Sequence, residues 1–376
     1  MTRMQGNDGR PLAICYGTRP QVIKASVLID VLEEHWPLLT VDTGQHYDYE
    51  LNALLYEQLG VRPPQLLLGI GSGDHATQTS AILTRAADIF AQYRPWAVAV
   101  VGDTNSTLGC ALAAAKRGIP VLHVEAGLRS DNLAMAEEIN RRLVDSISTL
   151  LFAPSTAAVD RLRAESPYGA VVRTGDVARD VLVRTLDRAP TVSAIEGWPL
   201  EPGAEFIFAT LHRAELTDDA DRTIEVLETL ARLEFPVIFA MHPRTRATLE
   251  RHGLLDRIPA ALHVRPPLGY LETLACIREA RGIITDSGGV QREAYWLGTP
   301  CITLRTETEW LETVDLGANA LVAPERAAAT LPEVVRRHIG RTGDGWDRDA
   351  YGAGDAALRI RDAIGRWREG APLPTE

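Results

Sequence analysis

Two carboxylates lie where neighbouring apolar segments of the sequence end. Asp103 closes the segment 96–103, and Glu125 lies in the next one, 121–126. Carboxylates placed together resist ionising together, so one can hold a proton at neutral pH while its neighbour accepts one. Such a pair is suited to moving protons on and off a substrate. We therefore expect Asp103 and Glu125 to be functional.

Two further carboxylates, Glu137 and Glu138, fall in the predicted helix that follows. Each has an arginine four residues later, Arg141 and Arg142 respectively. This is the spacing of ordinary surface ion pairs, each worth about 0.3 kcal/mol. From spacing alone, surface pairs are favoured over a catalytic role for these two glutamates.

Two histidines follow consecutive apolar segments in the second half of the chain. His212 lies in TLHRAE and His242 in AMHPRTR, and an arginine follows closely in both. A single histidine at a strand end is usually structural, but two at consecutive strand ends would face one crevice, which favours a function for His212. His123, two residues before Glu125, is a candidate supporting residue. The histidine spacings do not match a metal motif, so no metal site is predicted.

The segment TDSGG (285–289) separates a predicted strand from a predicted helix. Ser287 can cap this helix, while Gly288 and Gly289 let a ligand approach the backbone N–H groups that a helix start leaves unpaired. In isolation, an ordinary capped turn is the simpler interpretation. Together with the other motifs, the segment predicts an anion site, with Glu293 one turn further on to accept hydrogen bonds from a ribose diol.

The first predicted strand ends in GTRP (17–20). Pro20 suits the first helical position, and the guanidinium of Arg19 can pair with diphosphate oxygens. A structural arginine in the loop is the alternative. Neither half of the chain has G-x-G-x-x-G after its first strand, and G-x-x-x-x-G-K-[ST] does not occur. A dinucleotide cofactor is therefore not predicted.

Alternating strands and helices must position these residues. Short β-branched runs alternate with amphipathic helical patterns, which predicts α/β domains built on parallel sheets. The predicted strands cover 12–18, 38–43, 96–103, 121–126, 149–155, 171–176, 206–212, 236–242, 261–266, 282–287, 300–305 and 319–324.

One interruption divides this alternation into two halves. The segment 188–203 is rich in Pro and Gly and predicts a linker. We expect a disordered tail over 1–11, a first domain over 12–187 that carries the acids, and a second domain over 204–355. The region 356–376 should contain a final helix that could pack back on the first domain.

Composition narrows the function classes. The 376 residues are 45% hydrophobic and 24% charged, as in a globular protein, and carry a net charge of −11. That charge argues against a nucleic-acid or anionic-membrane surface. No apolar run reaches the ~18 residues of a membrane helix, and the polar N-terminus lacks a signal-peptide core, so we expect a cytoplasmic protein. The cysteines lie singly in apolar stretches and should be reduced core residues: Cys15, Cys110, Cys276 and Cys301.

Taken together, the ordered motifs resemble the non-hydrolysing UDP-N-acetylglucosamine 2-epimerases, over about 12–364. The motifs are GTRPQVIK (17–24), GQHYD (44–48), GDTNST (102–107), HVEAGLRS (123–130), EEINRRLVD (137–145), TLHRAE (210–215), TDSGG with Glu293, and TETEW with Glu312. The resemblance implies a GT-B fold, with two Rossmann-like parallel-sheet domains, the active site in the cleft between them, and usually a homodimer. It also implies an isomerase that needs no cofactor.

The resemblance further implies roles for individual residues. The family's catalytic positions match Asp103, Glu125, Glu137 and His212. Contacts to UDP or substrate are implied for Arg19, Lys24, Arg141, His242, Ser287, Gly288, Gly289 and Glu293. In some members a second UDP-sugar binds at a regulatory site, which corresponds here to Gln45 and His46.

Three departures bear on the substrate and the site. Ala136 stands where the family often has proline before the two glutamates. GTRPQ replaces the GTRPE of many enzymes that act on UDP-N-acetylglucosamine, and GQHYD differs from their motif as well. These variants resemble a branch that includes epimerases of UDP-diacetamido-uronic acids. The expected substrate is therefore UDP-N-acetylglucosamine or a closely related UDP-acetamido sugar.

The resemblance implies interconversion of UDP-N-acetylglucosamine and UDP-N-acetylmannosamine for amino-sugar or polysaccharide biosynthesis. UDP would leave to give a 2-acetamidoglucal and then add back. One alternative is a hydrolysing relative that releases an N-acetylmannosamine-type sugar and UDP. Others are a GT-B glycosyltransferase, against which the acidic cluster argues, and a non-catalytic sensor, against which the complete set of acids with His212 argues.

Overall fold

The computed structural model describes residues 9–45, 56, 60, 62–165, 167–339 and 345–374. The chain forms two compact units. The first runs to Arg184 and is completed by the C-terminal segment from Asp349, and the second covers Thr185–Arg348. Of the predicted tail at 1–11, residues 1–8 lie outside the described ranges.

The first unit is built on a parallel sheet. Its strands are β1 (Leu12–Tyr16), β2 (Leu38–Asp42), β3 (Leu66–Leu67), β4 (Ala97–Val101), β5 (Val121–Val124), β6 (Leu150–Ala153) and β7 (Ala170–Arg173). They lie in the order β3-β2-β1-β4-β5-β6-β7. The described α-helices of this region are Arg19–Glu33, His75–Tyr93, Asn105–Lys116, Ala136–Ile147, Thr156–Glu165, Val177–Thr185 and Ala356–Glu369.

The second unit repeats this architecture with a six-stranded sheet. Its strands are β8 (Ile207–Thr210), β9 (Val237–Ala240), β10 (His263–Arg265), β11 (Gly282–Thr285), β12 (Cys301–Thr303) and β13 (Asn319–Leu321). Their order is β10-β9-β8-β11-β12-β13. The described α-helices are Ala214–Thr217, Ala220–Leu230, Pro243–Arg251, Tyr270–Glu279, Gly288–Leu297, Leu311–Asp315 and Ala327–His338. Short 3-10 turns occupy Leu186–Arg188, Val192–Ala194, Leu255–Arg257 and Pro324–Arg326.

The central strands are continuous apolar runs because helices cover both faces of each sheet. β1 reads LAICY and β4 reads AVAVV, and every residue of both strands is buried. A parallel sheet with both faces covered requires such runs, since no side chain points to water. The same pattern fills β9 and β11 in the second unit. These buried strands are the rigid supports from which the candidate site residues project.

In each sheet the strand order reverses at one place, beside β1 in the first unit and beside β8 in the second. At such a reversal a crevice opens beyond the carboxyl ends of the two strands, which is where open α/β sheets bind ligands. GTRP follows β1 and GDTNST follows β4, while TLHRAE follows β8 and TDSGG follows β11. These four motifs therefore lie at the reversal points of the two sheets.

All twelve predicted strands are confirmed, each one to three residues shorter than its predicted segment. The sequence missed only β3 among the described strands. β3 has two residues, and Leu67 is 57% exposed at the edge of the sheet. A two-residue strand on a sheet edge has neither the length nor the buried face that creates a hydrophobic pattern.

The segment predicted as a linker, 188–203, lies in the second unit. Its side chains Val192 and Ile195 are buried in an apolar cluster with Phe206 and Phe208. The Pro190 carbonyl accepts a hydrogen bond from Arg278 at 2.7 Å. The Pro and Gly content of this segment thus reflects short 3-10 turns that pack on the second unit.

The final helix, Ala356–Glu369, belongs to the first unit. The carboxylate of Asp180 accepts hydrogen bonds from the backbone N–H groups of Ala356 at 3.0 Å and Ala357 at 2.7 Å. At the other end of the helix, the guanidinium of Arg368 lies 4.3 Å from the centre of the Trp96 ring. These contacts attach both ends of the helix to the first unit.

Asp180 should make the stability of the first unit depend on pH. Burial raises the pKa of Asp180 to about 6 from 3.8, so the folded chain binds more protons than the unfolded chain between these values. The free energy of unfolding should therefore fall as pH rises through this window. We expect Asp180→Asn to remove this part of the pH dependence, at a cost of about 1 kcal/mol for one lost hydrogen bond. Urea unfolding of wild type, Asp180→Asn and the exposed-site control Asp187→Asn across the window checks it. A wild-type pH dependence in Asp180→Asn would contradict the assignment.

Two further observations concern the composition. All four cysteines are free and buried, which confirms the expectation of reduced core residues. Within the described part of the chain, no helix combines the length and the apolar character that crossing a membrane requires.

Candidate active site

Glu125 follows β5 in a strained turn. Its φ is +67°, a left-handed conformation that costs a residue with a side chain about 1 kcal/mol or more. A Cβ added to Gly102, after the neighbouring β4, would lie 3.3 Å from Glu125 Oε2, so the two strand ends are close together. Lys24 forms a buried ion pair with the same carboxylate oxygen. Backbone strain of this kind is concentrated at functional sites, and here it determines the orientation of the buried Glu125 carboxylate.

Asp103 lies beyond the end of β4 and is held from one side. Arg141 donates to Asp103 Oδ2 from Nε at 3.0 Å and from Nη2 at 2.6 Å. Both bonds use the same carboxylate oxygen, and the Asp103 side chain is 30% exposed. The arginine therefore fixes the orientation of the carboxylate while Oδ1 takes no part in this contact. Each of the two strand-end acids is thus paired with one buried cation.

The surface-pair interpretation of Glu138 is wrong. Glu138 is fully buried and accepts hydrogen bonds from Ser130 N at 2.9 Å, Arg141 Nη1 at 3.1 Å and Arg142 Nε at 2.8 Å. The expected pair with Arg142 exists, but its glutamate is fully buried and its arginine is exposed. Arg141 is 2% exposed and bridges Glu138 to Asp103. These contacts support a role for Arg141 in orienting Asp103, beside the substrate contact that the resemblance implies.

Glu137, the residue before Glu138 in the same helix, is half-buried and lines a cavity of about 180 Å³. Gln45, expected at a regulatory site, lines the same cavity. Its side-chain oxygen accepts hydrogen bonds from Ser106 N at 3.0 Å and Ser106 Oγ at 2.6 Å. His46 lies outside the described residues. The structure thus places one catalytic candidate and one regulatory candidate at a single cavity, whose lining also includes Thr18, His75, Asn105 and Asn140.

Arg19 is the first residue of the helix that follows β1, and it is half-buried. Pro20 is the second residue of this helix, one position later than expected, and Thr18 takes the N-cap position without a side-chain cap bond. The arginine therefore lies at the start of a helix beside the sheet reversal. This is a suitable position for a residue that contacts an anion.

In the second unit, Asp286 organises the turn that carries His212. Asp286 is fully buried, and its Oδ2 accepts hydrogen bonds from the backbone N–H groups of His212 and Arg213, both at 2.7 Å. Its Oδ1 lies 3.1 Å from His212 Nδ1. Burial lowers the pKa of His212 and outweighs the opposing charge of Asp286. A neutral ring with Nδ1–H towards Asp286 has an unprotonated Nε2, which can accept a proton or a hydrogen bond.

His242 lies next to His212, with their ring centres 5.0 Å apart. It is the N-cap residue of the helix Pro243–Arg251, and its Nδ1 accepts a hydrogen bond from Arg244 N at 3.2 Å. Because Nδ1 is the acceptor, Nε2 of the neutral ring carries the hydrogen and can donate it to an anion. The two strand-end histidines are therefore brought together as their positions suggested.

The TDSGG turn starts the helix Gly288–Leu297 as predicted, with Ser287 at the N-cap. However, the Ser287 side chain makes no capping bond, since the turn is held instead by Ser287 N donating to Thr285 Oγ1 at 3.0 Å. Among the described residues, apart from the adjoining helix backbone, Ser287 Oγ is the one neighbour within 4 Å of a Cβ placed on Gly289, at 3.8 Å, so the space beside this helix start is open. At Gly288 a Cβ would approach the side chain of Trp310 to 3.1 Å.

Glu293 lies one turn into this helix and is half-buried. Burial raises the pKa of the Tyr270 hydroxyl, and the charge of Glu293 raises it further, so the two side chains are close. The neighbouring Arg292 is buried, with its guanidinium 3.9 Å from the Trp310 ring centre. A cation over an aromatic face stabilises this packing by about 1 kcal/mol. The helix that begins at TDSGG is thus firmly anchored along its length.

The family model described as UDP-N-acetylglucosamine 2-epimerase matches residues 32–365, which is most of the chain. The chain belongs to the UDP-N-acetylglucosamine 2-epimerase family. The expected resemblance is confirmed, and the enzyme class of this family is that of the sugar-nucleotide isomerases.

Relatives of this epimerase-family chain include two functionally distinct proteins. It is 40% identical over 358 residues to a UDP-2,3-diacetamido-2,3-dideoxy-D-glucuronate 2-epimerase of Pseudomonas aeruginosa, a match that covers 93% of this chain and 98% of the relative. It is 38% identical over 327 residues to the UDP-N-acetylglucosamine 2-epimerase of Methanocaldococcus jannaschii, covering 84% and 89%. The expected similarity to the diacetamido-uronate branch is confirmed.

The crystal structure of the Methanocaldococcus jannaschii UDP-GlcNAc 2-epimerase in complex with UDP-GlcNAc and UDP superposes on this chain with a TM-score of 0.87. The two are 36% identical, and the match covers 94% of this chain and 99% of the other. The predicted fold class, two Rossmann-like parallel-sheet domains of the GT-B type, is therefore confirmed for this epimerase-family protein.

One residue that organises the site of this family member, Asp286, had no predicted role. Asp286 lies inside TDSGG, yet the motif drew attention to its serine and glycines. The available signal was topological: Asp286 follows β11, which pairs with β8, and His212 follows β8. An acid and a histidine at the ends of adjacent strands are within contact distance.

Proposed function

We propose that this protein inverts carbon 2 of a UDP-acetamido sugar. The substrate is UDP-N-acetylglucosamine, which is converted to UDP-N-acetylmannosamine, or the corresponding 2,3-diacetamido-glucuronate nucleotide. The observation that carries this proposal is the pair of carboxylates at neighbouring strand ends, Asp103 held by Arg141 and Glu125 held by Lys24. Two positioned acids suit a reaction that removes a proton from one face of carbon 2 and returns one to the other.

Departure of UDP must accompany the proton transfer, because the hydrogen on carbon 2 of an acetamido sugar is not acidic. A carboxylate takes that hydrogen as a proton, its bonding electrons form the double bond between carbons 1 and 2, and the bond from carbon 1 to the phosphate oxygen breaks. UDP and a 2-acetamidoglucal result. Re-addition of UDP at carbon 1, with a proton delivered to the opposite face of carbon 2, completes the inversion.

The residues divide between the two tasks. Glu125, Asp103 and Glu137 are the proposed proton carriers, since all three are carboxylates beyond neighbouring strand ends or on the following helix. The second unit supplies groups that stabilise departing UDP: the open helix start at Gly289, the Nε2–H of His242, and His212. Arg19 and Lys24 add positive charge in the first unit. Ser287, Gly288 and Glu293 complete the proposed nucleotide contacts.

Gly289→Val should weaken UDP binding without unfolding the protein. The added side chain enters the open space beside the helix start, where a Cβ contacts Ser287 Oγ at an ordinary 3.8 Å. We expect the Kd for UDP to rise by about 10-fold or more, because the side chain blocks access to the helix N–H groups. Calorimetry with UDP measures this change. Gly365→Val, in an open position of the C-terminal helix, is the control and should bind UDP normally. An unchanged Kd for Gly289→Val would place UDP elsewhere.

The proposed function is tested by NMR of the pure protein with each UDP-sugar, without added NAD or metal. We expect a manno-configured UDP-sugar to accumulate until the two epimers reach equilibrium. Stoichiometric free UDP with a free acetamido sugar would instead identify a hydrolysing enzyme. If neither sugar nucleotide changes, the epimerase proposal is wrong and a glycosyltransferase is favoured.

We also propose that the protein works in the cytoplasm as a homodimer. Its four buried free cysteines suit a reducing compartment. Three large apolar side chains on and beside the helix Ala136–Ile147 are exposed: Leu133, Ile139 and Leu143. Sedimentation analysis tests the oligomeric state, for which a mass of one chain, 41.1 kDa, would exclude the dimer.

A further inference from the structure

The helix Ala136–Ile147 contacts Asp103 at two separate points. Asn140 Nδ2 donates to the main-chain carbonyl of Asp103 at 2.9 Å. Arg141, the next residue of the helix, donates to Asp103 Oδ2 from Nε at 3.0 Å and from Nη2 at 2.6 Å. The helix therefore holds both the backbone and the side chain of this proposed proton carrier.

The contact with Arg141 does not fix the carboxylate of Asp103 by itself. Both of its bonds end on one oxygen, so the carboxylate can still turn about Oδ2 while they are kept. The bond from Asn140 supplies a second fixed point, on the main chain of Asp103. Two fixed points on one residue determine the direction in which its other carboxylate oxygen, Oδ1, faces.

Asn140 is a buried residue, 4% exposed. The Asp103 carbonyl accepts hydrogen bonds and cannot donate, so the amide nitrogen of Asn140 and not its oxygen must face it. The same Nδ2 lies 3.3 Å from Oδ1 of Asn105, the first residue of the helix Asn105–Lys116. Hydrogen bonds are stronger in a buried environment than in water. Asn140 thus connects the helix Ala136–Ile147 to the turn after β4.

The peptide that joins Asp103 to Thr104 is held by a different helix at each end. Its N–H, on Thr104, donates at 3.1 Å to Thr107 Oγ1, in the helix that follows the turn. Its carbonyl, on Asp103, accepts from Asn140. Loss of the Asn140 amide therefore leaves this peptide attached to the helix that follows it and detaches it from the helix Ala136–Ile147.

The side-chain contact is anchored within the helix Ala136–Ile147. Arg141 Nη1 donates at 3.1 Å to Oε2 of Glu138, which is fully buried. Glu138 Oε2 also accepts from Ser130 N at 2.9 Å. The guanidinium of Arg141 is thus fixed between the carboxylates of Glu138 and Asp103, as a buried cation requires. Its position relative to Asp103 therefore depends on the position of the helix.

Glu137 belongs to the same helix, in which residues three positions apart lie on one face. Glu137 and Asn140 both line the cavity of about 180 Å³. The helix thus contains one proposed proton carrier, Glu137, and holds another, Asp103. The separation of these two carboxylates depends on how the helix is attached to the turn after β4.

From these contacts we infer that Asn140 is a positioning residue, which attaches the main chain of Asp103 to the helix that contains Glu137. The inference rests on the proposed function, since it treats both acids as carboxylates that exchange protons with the substrate. Without the bond from Asn140, the main chain at Asp103 can move away from this helix, and its carboxylate turns about the contact with Arg141. Misplacement of a reacting group by about 1 Å can cost about 100-fold in rate.

Asn140→Leu removes the amide with almost no change in the shape of the side chain. We expect kcat for epimerisation to fall by about 10-fold to 100-fold while KM changes by less than about 3-fold, because the change displaces a reacting group. A rise in KM with unchanged kcat would instead identify Asn140 as a substrate contact and overturn the inference.

Ser148→Ala is the control for weakening the same helix at its other end. Ser148 is fully buried at the C-cap, and its Oγ donates to the Val144 carbonyl at 2.7 Å. Loss of this buried hydrogen bond should lower the melting temperature and leave kcat at the wild-type value. An equal fall of kcat in Ser148→Ala and Asn140→Leu would show that general weakening of the helix, and not the contact with Asp103, causes the loss.

A double-mutant cycle with Asp103→Asn shows whether Asn140 acts through Asp103. If it does, Asn140→Leu should lower kcat by less than about 2-fold in the Asp103→Asn background, because the reacting carboxylate has already been removed there. A purely structural role would lower kcat by the same factor in both backgrounds, and that result would overturn the inference.

Hydrogen exchange supplies a readout that needs no substrate. The Thr104 amide belongs to the peptide whose carbonyl accepts from Asn140, so it should exchange faster in Asn140→Leu than in wild type and Ser148→Ala. The Gly118 amide, which donates to the Ala115 carbonyl at 3.0 Å, is the internal reference and should not change. If wild type epimerises neither sugar, the proposed function fails, and this comparison still shows whether Asn140 holds the turn. Unchanged exchange at Thr104 would overturn the inference.

Discussion

Glu125→Gln is expected to lower kcat for epimerisation by at least ~100-fold, the usual contribution of a positioned acid or base. Glutamine keeps the shape of the side chain, but its amide cannot accept a proton from carbon 2. The strained backbone at Glu125 and the buried ion pair with Lys24 show that the fold holds this carboxylate in one orientation. Steady-state kinetics of the epimerisation, followed by NMR, measure the loss of kcat.

The same substitution leaves Lys24 as a buried cation without its partner, which can cost about 3 kcal/mol of stability. Thermal melting of the variant separates this effect from catalysis. The double variant Lys24→Gln with Glu125→Gln removes both charges and should recover stability without recovering activity. Glu34→Gln, an exposed change at the C-cap of the helix that carries Lys24, serves as the control with normal kcat. Turnover by Glu125→Gln within a few-fold of wild type would remove Glu125 from the catalytic residues.

His212→Asn should also lower turnover by ~100-fold or more, because it deletes the ring nitrogen Nε2 that faces away from Asp286. Asparagine places an amide group where His212 Nδ1 approaches Asp286 Oδ1 to 3.1 Å, and the backbone bonds from His212 and Arg213 to Asp286 remain. The turn after β8 should therefore survive. Kinetics together with calorimetric titration of UDP shows whether the loss falls on turnover or on nucleotide binding.

The control for this prediction is His252→Asn, which changes an exposed histidine at the end of the helix Pro243–Arg251. It should behave as wild type. A His212→Asn enzyme that turns over normally would mean that His212 has a structural role only, as a histidine at a strand end often does. His242 would then be the remaining histidine candidate for stabilising departing UDP.

The strands could be predicted because they depend on local sequence. Buried parallel strands such as β1 and β4 need uninterrupted apolar residues, and the motifs follow directly after them. The positions of Asp103, Glu125, His212 and His242 at adjacent strand ends followed from the same rule. β3 was not predicted because two residues at a sheet edge are too few to show a periodic hydrophobic pattern.

The environment of each site residue could not be predicted, because it depends on contacts between distant parts of the chain. Spacing alone could not show that Glu138 is fully buried. The contact between Arg141 and Asp103 joins residues 38 positions apart, and that between Gln21 and Val101 joins residues 80 positions apart. Such contacts exist only once the sheet has formed, so the pattern of residues along the sequence does not predict them.

The most direct test of the central claim is epimerisation in heavy water, followed by NMR at carbon 2. If a carboxylate removes the hydrogen as a proton, it exchanges with solvent before a different group returns a proton on the opposite face. The manno-configured UDP-sugar should then carry deuterium at carbon 2, and free UDP with glycal should appear in traces after long incubation. Epimerised product that retains its original hydrogen at carbon 2 would contradict elimination and re-addition.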